Sequence, residues 1–324
     1  MFPAYHYIFI FWHPGIRANL EAMLLKKRHY SMRNMETRWG ILMALPAVLG
    51  FLIWNVGPMI ASLIISFTEW SVVSTPRFAG LANFSRMFRQ DPLFWKSLYV
   101  TAYYTFLSVP AVIASAFMLA TILNQEIRGL AIFRTIFYLP SVVPAVANAV
   151  LWLWLFNPDF GLLNTALGSI GVRRLLWIYD EASVIPSLVL MSVWGMGNTM
   201  IIFLAGLQGV PRQYYEAAEI DGANAVQRWW FVTIPMVSSV IFFNLVMGLI
   251  GTFQVFSQAY VMTDGGPNNG SLFMVYYLFR NAFQYGRMGY ASAIAWVIFM
   301  IVLAFTVLIF RSSPAWVYYE GERR

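Results

Sequence analysis

The chain has 324 residues, of which 60% are hydrophobic and only 11% are charged, and it contains no cysteine. Soluble globular proteins carry roughly a quarter charged residues, so this composition excludes an ordinary soluble domain, a disulfide framework and a thiolate metal site. The formal net charge of +7 would suit a nucleic-acid partner, but the charges flank long apolar stretches, which favours a lipid membrane and predicts no nucleic acid.

The N-terminal extension, residues 1–38, precedes the first long apolar stretch. Residues 1–16 are uncharged and rich in Phe, Tyr and Trp. Two interpretations remain open: a variable tail, or a segment that lies in the membrane interface and continues as an amphipathic helix over 17–30. The 3 histidines of the chain also lie here, and because their spacing matches no metal motif we predict no metal site.

Six long stretches without Asp, Glu, Lys or Arg follow along the chain. Each holds the roughly 20 apolar residues that a helix needs to cross about 30 Å of hydrocarbon. We therefore predict an all-α integral membrane protein, with a transmembrane domain over 39–310 and a tail over 311–324. The predicted spans lie near 41–66, 97–123, 133–156, 185–207, 234–257 and 288–310.

Basic residues are concentrated before the first span, at Lys26, Lys27, Arg28, Arg33 and Arg38. Cytoplasmic flanks of membrane helices carry an excess of Lys and Arg, so this predicts a cytoplasmic N-terminus in the cytoplasmic (inner) membrane. An even number of spans then places the C-terminus in the cytoplasm as well. The loops after the first, third and fifth spans would be external, and residues 271–283 would form a short external helix.

Two predicted spans contain residues that perturb a helix. Pro140 and Pro144 each remove a helix hydrogen bond, which predicts a kink in the third span. Gly195 and Gly197 in the fourth span allow either tight packing or a hinge, and packing is the more common role.

The spans hold polar side chains but no acid or base, which argues against a proton- or ion-coupled carrier. Amide and aromatic groups suit a sugar, so the polar residues are candidates to line a substrate pathway. For any single one of them, a hydrogen bond between helices is the more common role. The candidates are Asn148, Trp194, Asn198, Thr199, Asn244, Thr252, Gln254 and Gln258.

The cytoplasmic loop over 209–235 predicts two short helices joined by a tight turn. Pro211 suits the first turn of a helix, Gly222 a left-handed C-terminal cap, and Asn224 the cap of the second helix. The carboxylate of Glu216 and the small residues beside it would suit close docking of a partner. A well-capped connector without a partner would show the same pattern.

Several motifs in this loop and elsewhere occur in a fixed order along the chain. They are Gly80-Leu81-Ala82-Asn83-Phe84, Asp91-Pro92-Leu93-Phe94-Trp95, Gly161-Leu162-Leu163-Asn164, Leu204-Ala205-Gly206-Leu207-Gln208, Glu216-Ala217-Ala218, Asp221-Gly222-Ala223, Thr233-Ile234-Pro235, Thr263-Asp264-Gly265-Gly266-Pro267 and Tyr290-Ala291-Ser292-Ala293. Together they resemble the permeases of binding-protein-dependent ABC importers, especially the sugar branch, whose EAA loop the 209–235 loop resembles. Where that family has a basic pair before the Thr-x-Pro end, this chain has Trp230 and Phe231.

The resemblance implies a MetI-like (type I) permease core that is not itself an enzyme. It implies a coupling helix seated on a cytoplasmic ATPase, with a second permease subunit, two ATPase copies and an external solute-binding protein as partners. ATP and Mg²⁺ would bind the ATPase, and because the sequence has no Gly-rich phosphate loop we predict no cofactor on this chain. The implied coupling residues are Glu216, Ala217, Ala218, Asp221, Gly222 and Pro235.

The resemblance further implies a saccharide cargo that enters the cytoplasm by alternating access. Glycerol phosphate is the alternative cargo, and an ATP-independent secondary carrier is the alternative from another class. The N-terminal extension is also similar to that of alginate-importer permeases. An anionic cargo such as alginate would have to meet Arg280, Arg287 or the partner permease, because the spans offer no cation.

Overall fold

The computed structural model describes residue 23, residues 35–125 and residues 129–318. Apart from residue 23, the predicted interfacial helix over 17–30 lies outside these residues. So do residues 319–324 of the predicted tail.

The chain divides into two compact units, Met1–Ser62 and Leu63–Arg324. Helix α1, Met35–Ser66, covers the first predicted span, begins six residues before it, and continues into the second unit. Within the first unit it contains a π turn at Leu52–Val56. By length and composition α1 is able to cross a membrane.

A short hairpin follows α1 in the second unit. Strands β1 (Thr68–Glu69) and β2 (Arg77–Phe78) are antiparallel, with Glu69 opposite Arg77. The side-chain amide of Asn83, in the next helix, donates to the carbonyl oxygens of Ser66 and Thr68, each at 2.9 Å. Asn83 therefore fixes the hairpin to the end of α1, which explains one of the sequence motifs.

The rest of the second unit is helical. The helices are α2 (Ala82–Arg89), α3 (Pro92–Leu123), α4 (Leu130–Val142), α5 (Ala145–Leu155), α6 (Leu162–Ser169), α7 (Val184–Trp194), α8 (Gly197–Gln208), α9 (Arg212–Ile220), α10 (Ala225–Met236), α11 (Ser238–Phe253), α12 (Met274–Phe279) and α13 (Met288–Ser312). Shorter 3₁₀ or π turns occur at Trp177–Tyr179, Ala259–Thr263, Arg280–Gln284 and Ser313–Ala315.

Three of the predicted spans are broken helices. Helices α1, α3 and α13 are each long and apolar enough to cross a membrane alone. In contrast, α4 and α5 meet at 100°, α7 and α8 at 49°, and α10 and α11 at 64°. If each bent pair counts as one span, the helices provide the six predicted spans.

The largest bend lies at the predicted proline pair. Pro140 lies inside α4, and Val143 after it has an extended backbone with φ −67° and ψ 128°. A residue before proline is pushed out of the helical region by the proline ring, and Pro144 has no N–H with which to continue the helix. The predicted kink in the third span is confirmed.

The bend before α11 lies close to the predicted start of the fifth span, near residue 234. The second helix predicted for the 209–235 loop, α10, begins at Ala225 and ends at Met236, and α11 begins at Ser238. The cap at Asn224 sets the start of α10, while Pro235 removes a helix N–H close to the break.

Helix α3 is central to the second unit and packs against α7, α8 and α11. Its first half contributes Phe94 and Tyr104 to one apolar core, and its second half contributes Phe117 to another. The second core also contains Phe203 of α8 and Val237 at the α10–α11 break. One helix therefore connects both cores.

Asp91 joins the start of α3 to α12 and α13. Its Oδ1 accepts the backbone N–H groups of Leu93 and Phe94 at 3.0 and 3.2 Å and so caps α3. Its Oδ2 accepts the hydroxyl groups of Tyr277, at 2.5 Å, and of Tyr290. Burial, and then the bond to Asp91, raise the pKa of Tyr277 above its ordinary value.

We expect Asp91→Ala to lower stability more than Asp180→Ala. Asp91→Ala removes a cap and the shared acceptor of two tyrosines, which should cost about 3 kcal/mol or more. Asp180 is the matched control, since its Oδ2 accepts the N–H groups of Ala182 and Ser183 at the start of α7. Among the described residues no tyrosine hydroxyl donates a hydrogen bond to Asp180. Asp180→Ala should therefore lower the free energy of unfolding by about 1 kcal/mol, the value of a cap alone. Thermal unfolding in detergent measures the difference, and equal shifts would contradict the role given to Asp91.

Gly197 lies where α8 meets α4. A Cβ at Gly197 would lie 2.8 Å from the carbonyl oxygen of Phe137 and 2.9 Å from the Cα of Tyr138. At Gly195, in the same break, the nearest atom would be the carbonyl oxygen of Ser192 at an ordinary 3.6 Å. Tight packing and a hinge were the two roles predicted for these glycines. The contacts of Gly197 show tight packing.

Gly197→Ala should therefore force α4 and α8 apart at a cost of about 1–3 kcal/mol. Gly195→Ala adds the same methyl group two residues earlier in the same break, where it meets no clash. It should therefore leave the thermal unfolding midpoint nearly unchanged. A larger loss of stability for Gly195→Ala than for Gly197→Ala would refute the packing role.

Candidate functional site

The loop over 209–235 folds into two helices and a tight turn, as predicted. Gly222 has a φ of +80°, in the left-handed region that ends α9. The side chain of Asn224 accepts the N–H of Gln227 at 2.9 Å, and the side chain of Gln227 accepts the N–H of Asn224 at 2.8 Å. This reciprocal cap fixes the start of α10. Pro211 lies one residue before α9, not in its first turn.

Helix α9 presents an outward face. None of its residues is buried, and Tyr215 and Ala218 are the half-buried ones. Successive residues of an α-helix turn by about 100°, so Glu216, Ala217 and Ile220 share the opposite face. Ile220 is 87% exposed beside this carboxylate. The sequence analysis missed Ile220, although its i+4 spacing from Glu216 was a usable signal.

Aromatic contacts anchor the loop on the helical core. The ring of Trp229 stacks on Phe117 of α3 with centroids 5.5 Å apart, and Phe117 contacts Phe203 of α8 at 5.2 Å. The hydroxyl groups of Tyr215 and Thr233 lie 3.1 Å apart and join α9 to α10. The loop is thus packed directly against α3 and is connected to α8 through Phe117.

Two further contacts define the surface of the loop. Glu219 of α9 forms an ion pair with Arg228 of α10. Trp230 and Phe231, which stand where the family that the sequence resembles has a basic pair, are 58% and 78% exposed. This part of the loop surface is therefore an aromatic patch.

The structure brings five of the six predicted coupling residues together around the α9 turn. Glu216 and Ala217 face outward, Ala218 faces the core, and Asp221 and Gly222 form the exposed turn. Pro235 is exposed at the far end of α10, about 16 Å along that helix at 1.5 Å per residue. It belongs to the break before α11 and not to the turn.

A cavity of about 420 Å³ lies between α3, α7, α8 and α11. Four predicted pathway residues line it: Asn198, Thr199, Asn244 and Thr252. Among the described residues, no Asp, Glu, Lys or Arg lines this cavity. Its polar groups are amides and hydroxyls.

The sequence analysis missed three polar residues of the cavity, Tyr104, Ser108 and Ser192. The hydroxyl of Ser192 donates to the carbonyl oxygen of Leu188 at 2.8 Å, so the hydroxyl of Tyr104, 2.6 Å away, donates to Ser192. The sequence did carry a signal for Tyr104 and Ser108, because polar residues recur every three or four positions along α3 and so form a stripe on one side of that helix. The buried residues of this stripe are Ser97, Thr101, Thr105 and Ser108.

The other four predicted pathway residues do not line the cavity. Asn148 lies on α5, Gln254 directly after α11, and Gln258 directly before the Ala259–Thr263 turn. Trp194 ends α7 and packs edge-on against Trp152 at 5.7 Å. Because these helices are bent, residues of one predicted span face different surroundings.

Hydrogen bonds within a helix also account for part of the polar set. The amide of Asn244 donates to the carbonyl oxygen of Val240, and the hydroxyl of Thr252 donates to that of Gly248, each at 2.9 Å. These bonds leave Asn244 one amide hydrogen and both side chains an oxygen acceptor for other partners.

Residues 113–313, which include α8, the whole 209–235 loop and α11, match the family model described as binding-protein-dependent transport system inner membrane component. The chain belongs to this family. As a member it is the permease, or membrane component, of an ABC transporter.

Two relatives match nearly the whole permease. A probable ABC transporter permease of Bacillus subtilis (strain 168), YesP, is 44% identical over 281 residues, which cover 86% of this chain and 91% of that protein. The trehalose/maltose transport system permease MalF of Thermococcus litoralis is 32% identical over 279 residues, which cover 86% and 94%.

The fold of the permease is also that of a solved structure. A chain of a bacterial ABC transporter involved in the import of the acidic polysaccharide alginate superposes with a TM-score of 0.76 at 23% identity, over 88% of this permease and 99% of that chain. The predicted all-α, MetI-like fold is confirmed.

Because the permease has no cysteine, single cysteines can report on the cavity. Thr199→Cys faces the cavity and should react with a small water-soluble thiol reagent about ten times faster than Thr105→Cys, since thiol reactivity requires access to solvent. Thr105 is the control because it is only 3% exposed and lies beside the cavity-lining Tyr104. Mass spectrometry of the labelled, reconstituted permease measures both rates. Equal rates would contradict a water-filled cavity.

Proposed function

We propose that this permease is the membrane subunit of an ATP-driven importer that carries a neutral saccharide into the cytoplasm. One observation carries the proposal: the loop that presents the outward helix α9 is packed on a helix that also lines the uncharged polar cavity. Tyr215 of α9 bonds Thr233 of α10. Trp229 of α10 stacks on Phe117, which contacts Phe203. Helices α3 and α8, which hold the two phenylalanines, also line the cavity.

The chemistry of the cavity supports a sugar as cargo. Hydroxyls and amides form hydrogen bonds with sugar hydroxyls, and a site built from them rejects molecules that leave those groups unpaired. The relative in Thermococcus litoralis is named for trehalose and maltose transport. The uncharged lining favours these neutral sugars over glycerol phosphate or an acidic polysaccharide.

The arginines that an anionic cargo would need lie elsewhere. Arg280 donates to the hydroxyl of Tyr285 at 2.7 Å, and neither Arg280 nor Arg287 lines the cavity. This supports a neutral cargo over alginate.

In the proposed mechanism, α9 seats in a cleft of a cytoplasmic ATPase. Glu216 pairs with a basic residue of that cleft, while Ala217 and Gly222 permit close approach and Ile220 contributes an apolar contact. Closure of two ATPases around ATP and Mg²⁺ then moves the loop, and the Trp229 contact transmits the movement to α3 and α8. Coupling of this kind requires that the docking contacts differ between the two states of the permease.

The proposed assembly contains a second permease, two copies of the ATPase and an external solute-binding protein, with both termini of this chain in the cytoplasm. The family description itself refers to dependence on a binding protein. An ATP-independent carrier is the alternative class, and the uncharged cavity disfavours it because ion-coupled carriers use ionisable residues at membrane depth.

The test is ATPase activity of the reconstituted complex, stimulated by sugar-loaded binding protein. Glu216→Lys should abolish most of the stimulation, because it places two like charges in the proposed contact. Glu219→Lys is the matched control, with the same change of charge on the same helix. The carboxylate of Glu219 is already paired with Arg228 of its own chain.

Stimulation that falls for Glu216→Lys but persists for Glu219→Lys, with both complexes assembled, would support the docking face. Equal retention in both variants would make Glu216 an ordinary surface residue. Sugar uptake by the permease without any ATPase would overturn the proposed function.

A further inference from the structure

After α13 the chain turns back toward the α10–α11 break over residues 313–318, the C-terminal turn. Pro314 has no N–H with which to continue α13, so the helix ends here. The carbonyl oxygen of Ser313 accepts the N–H groups of Trp316 and Val317 at 3.1 and 2.8 Å, which closes the turn. The side chain of Val317 is only 2% exposed. The C-terminal turn is therefore packed against the rest of the second unit, although it follows the last span.

A single hydroxyl, that of Ser238, joins this turn to both sides of the break. Ser238 is the first residue of α11 and is buried. Its hydroxyl donates to the carbonyl oxygen of Pro235, in the last turn of α10, at 2.6 Å and accepts the backbone N–H of Tyr318 at 2.8 Å. A hydroxyl has one hydrogen and two acceptor lone pairs, so both bonds form at once. The end of α10, the start of α11 and the C-terminal turn are thereby held at one point.

Aromatic contacts hold α11 against α13 and the C-terminal turn. The ring centroid of Phe242, one helical turn along α11, lies 4.9 Å from that of Phe310 in α13 and 6.1 Å from that of Trp316. The indole N–H of Trp316 donates to the hydroxyl of Ser312 at 3.2 Å. Because α13 is one unbroken helix of 25 residues, it gives α11 and the turn a common support.

The α10–α11 break is a place where the helix ladder is interrupted. Pro235 contributes no N–H, and the two helices meet at 64°. Helices kink at such interruptions because fewer hydrogen bonds fix their direction. A displacement of the 209–235 loop reaches the cavity-lining helix α11 only if the angle at the break is maintained. If the angle yields, the displacement is absorbed at the break.

We propose that the C-terminal turn positions α11 for coupling, by holding the α10–α11 angle through Ser238. This inference rests on the proposed function of the 209–235 loop. Ser238 is a positioning residue in this role, because it does not line the cavity and acts through Pro235 and Tyr318. A hydroxyl that served only to stabilise the start of α11 would need no partner from the end of the chain. The bond to Tyr318 and the burial of Val317 therefore favour a clamp across the break.

The first test measures the sugar transported per ATP hydrolysed by the reconstituted complex. Ser238→Ala removes both bonds and should lower this ratio about fivefold, because a hydrogen-bonded contact is lost from the coupled movement. Basal ATPase activity should remain, since Ser238 lies outside the docking face of α9. Ser239→Ala is the matched control, because Ser239 is half-buried and its hydroxyl forms no hydrogen bond with the described residues.

A pair of shortened chains separates the C-terminal turn from the residues beyond it. A chain that ends at Tyr318 keeps the bond to Ser238 and the buried Val317, and it should transport as the native chain does. A chain that ends at Ala315 lacks both contacts and should behave like Ser238→Ala. Unfolding midpoints of all variants are measured in detergent, so that a loss of fold is not taken for a loss of coupling.

Distance measurements supply a readout that a contact which only stabilises the fold would not change. The permease has no cysteine, so spin labels can be attached at Val226→Cys in α10 and Val246→Cys in α11, in a complex whose partner subunits are free of cysteine. Ser238→Ala should broaden the distribution of distances between the two labels, because the α10–α11 angle is no longer fixed. Ser239→Ala should keep the native distribution.

Unchanged label distances and unchanged transport per ATP in Ser238→Ala would overturn the proposal, and so would an equal fall in Ser239→Ala. A lower unfolding midpoint with native distances and native coupling would also overturn it, because the contact would then only stabilise the fold. Failure of the proposed function gives a different result, since the native complex would show no ATP-dependent uptake at all. The label distances would still decide whether Ser238 holds the angle.

Discussion

The hydrocarbon layer offers no hydrogen bonds, and the polar groups of this permease are arranged around that constraint. Ser192, Asn244 and Thr252 each donate one hydrogen bond to a carbonyl oxygen of their own helix. These local bonds reduce the cost of placing the residues in an apolar region and leave oxygen acceptors facing the cavity. The same residues thus lower the cost of placing polar groups in the membrane and provide a surface that can form hydrogen bonds with a sugar.

The bends in the broken helices position the site. The α7–α8 bend lies between Ser192 and Asn198, so both residues reach one cavity from helices of different direction. The α10–α11 bend separates the anchored 209–235 loop from the cavity-lining helix α11. Val237 at this break belongs to the same core as Phe117, so the loop and the bend are packed in one core. Short broken helices, packed on one long unbroken helix, are a suitable construction for a two-state transporter.

The opposite end of the second unit is held by charge. Asp91 caps α3 and accepts two tyrosine hydroxyls, and the ring of one of these tyrosines lies below the guanidinium of Arg86. This network fixes one end of the central helix α3, whereas the 209–235 loop contacts the other half of α3 through Phe117.

By itself the sequence determined the number of spans, the proline kink, the capped turn after α9 and the family, because charge-free length, missing N–H groups and capping chemistry act between near neighbours. Only the tertiary structure decided that Asn198 lines the cavity while Asn148 does not, that Ala218 faces inward, and that Ile220 is exposed. It also brought Arg77, Arg86 and Arg287 into the lining of one pocket. These outcomes depend on how helices from distant parts of the chain rotate and bend against each other, and the apolar composition of the spans is compatible with many such rotations.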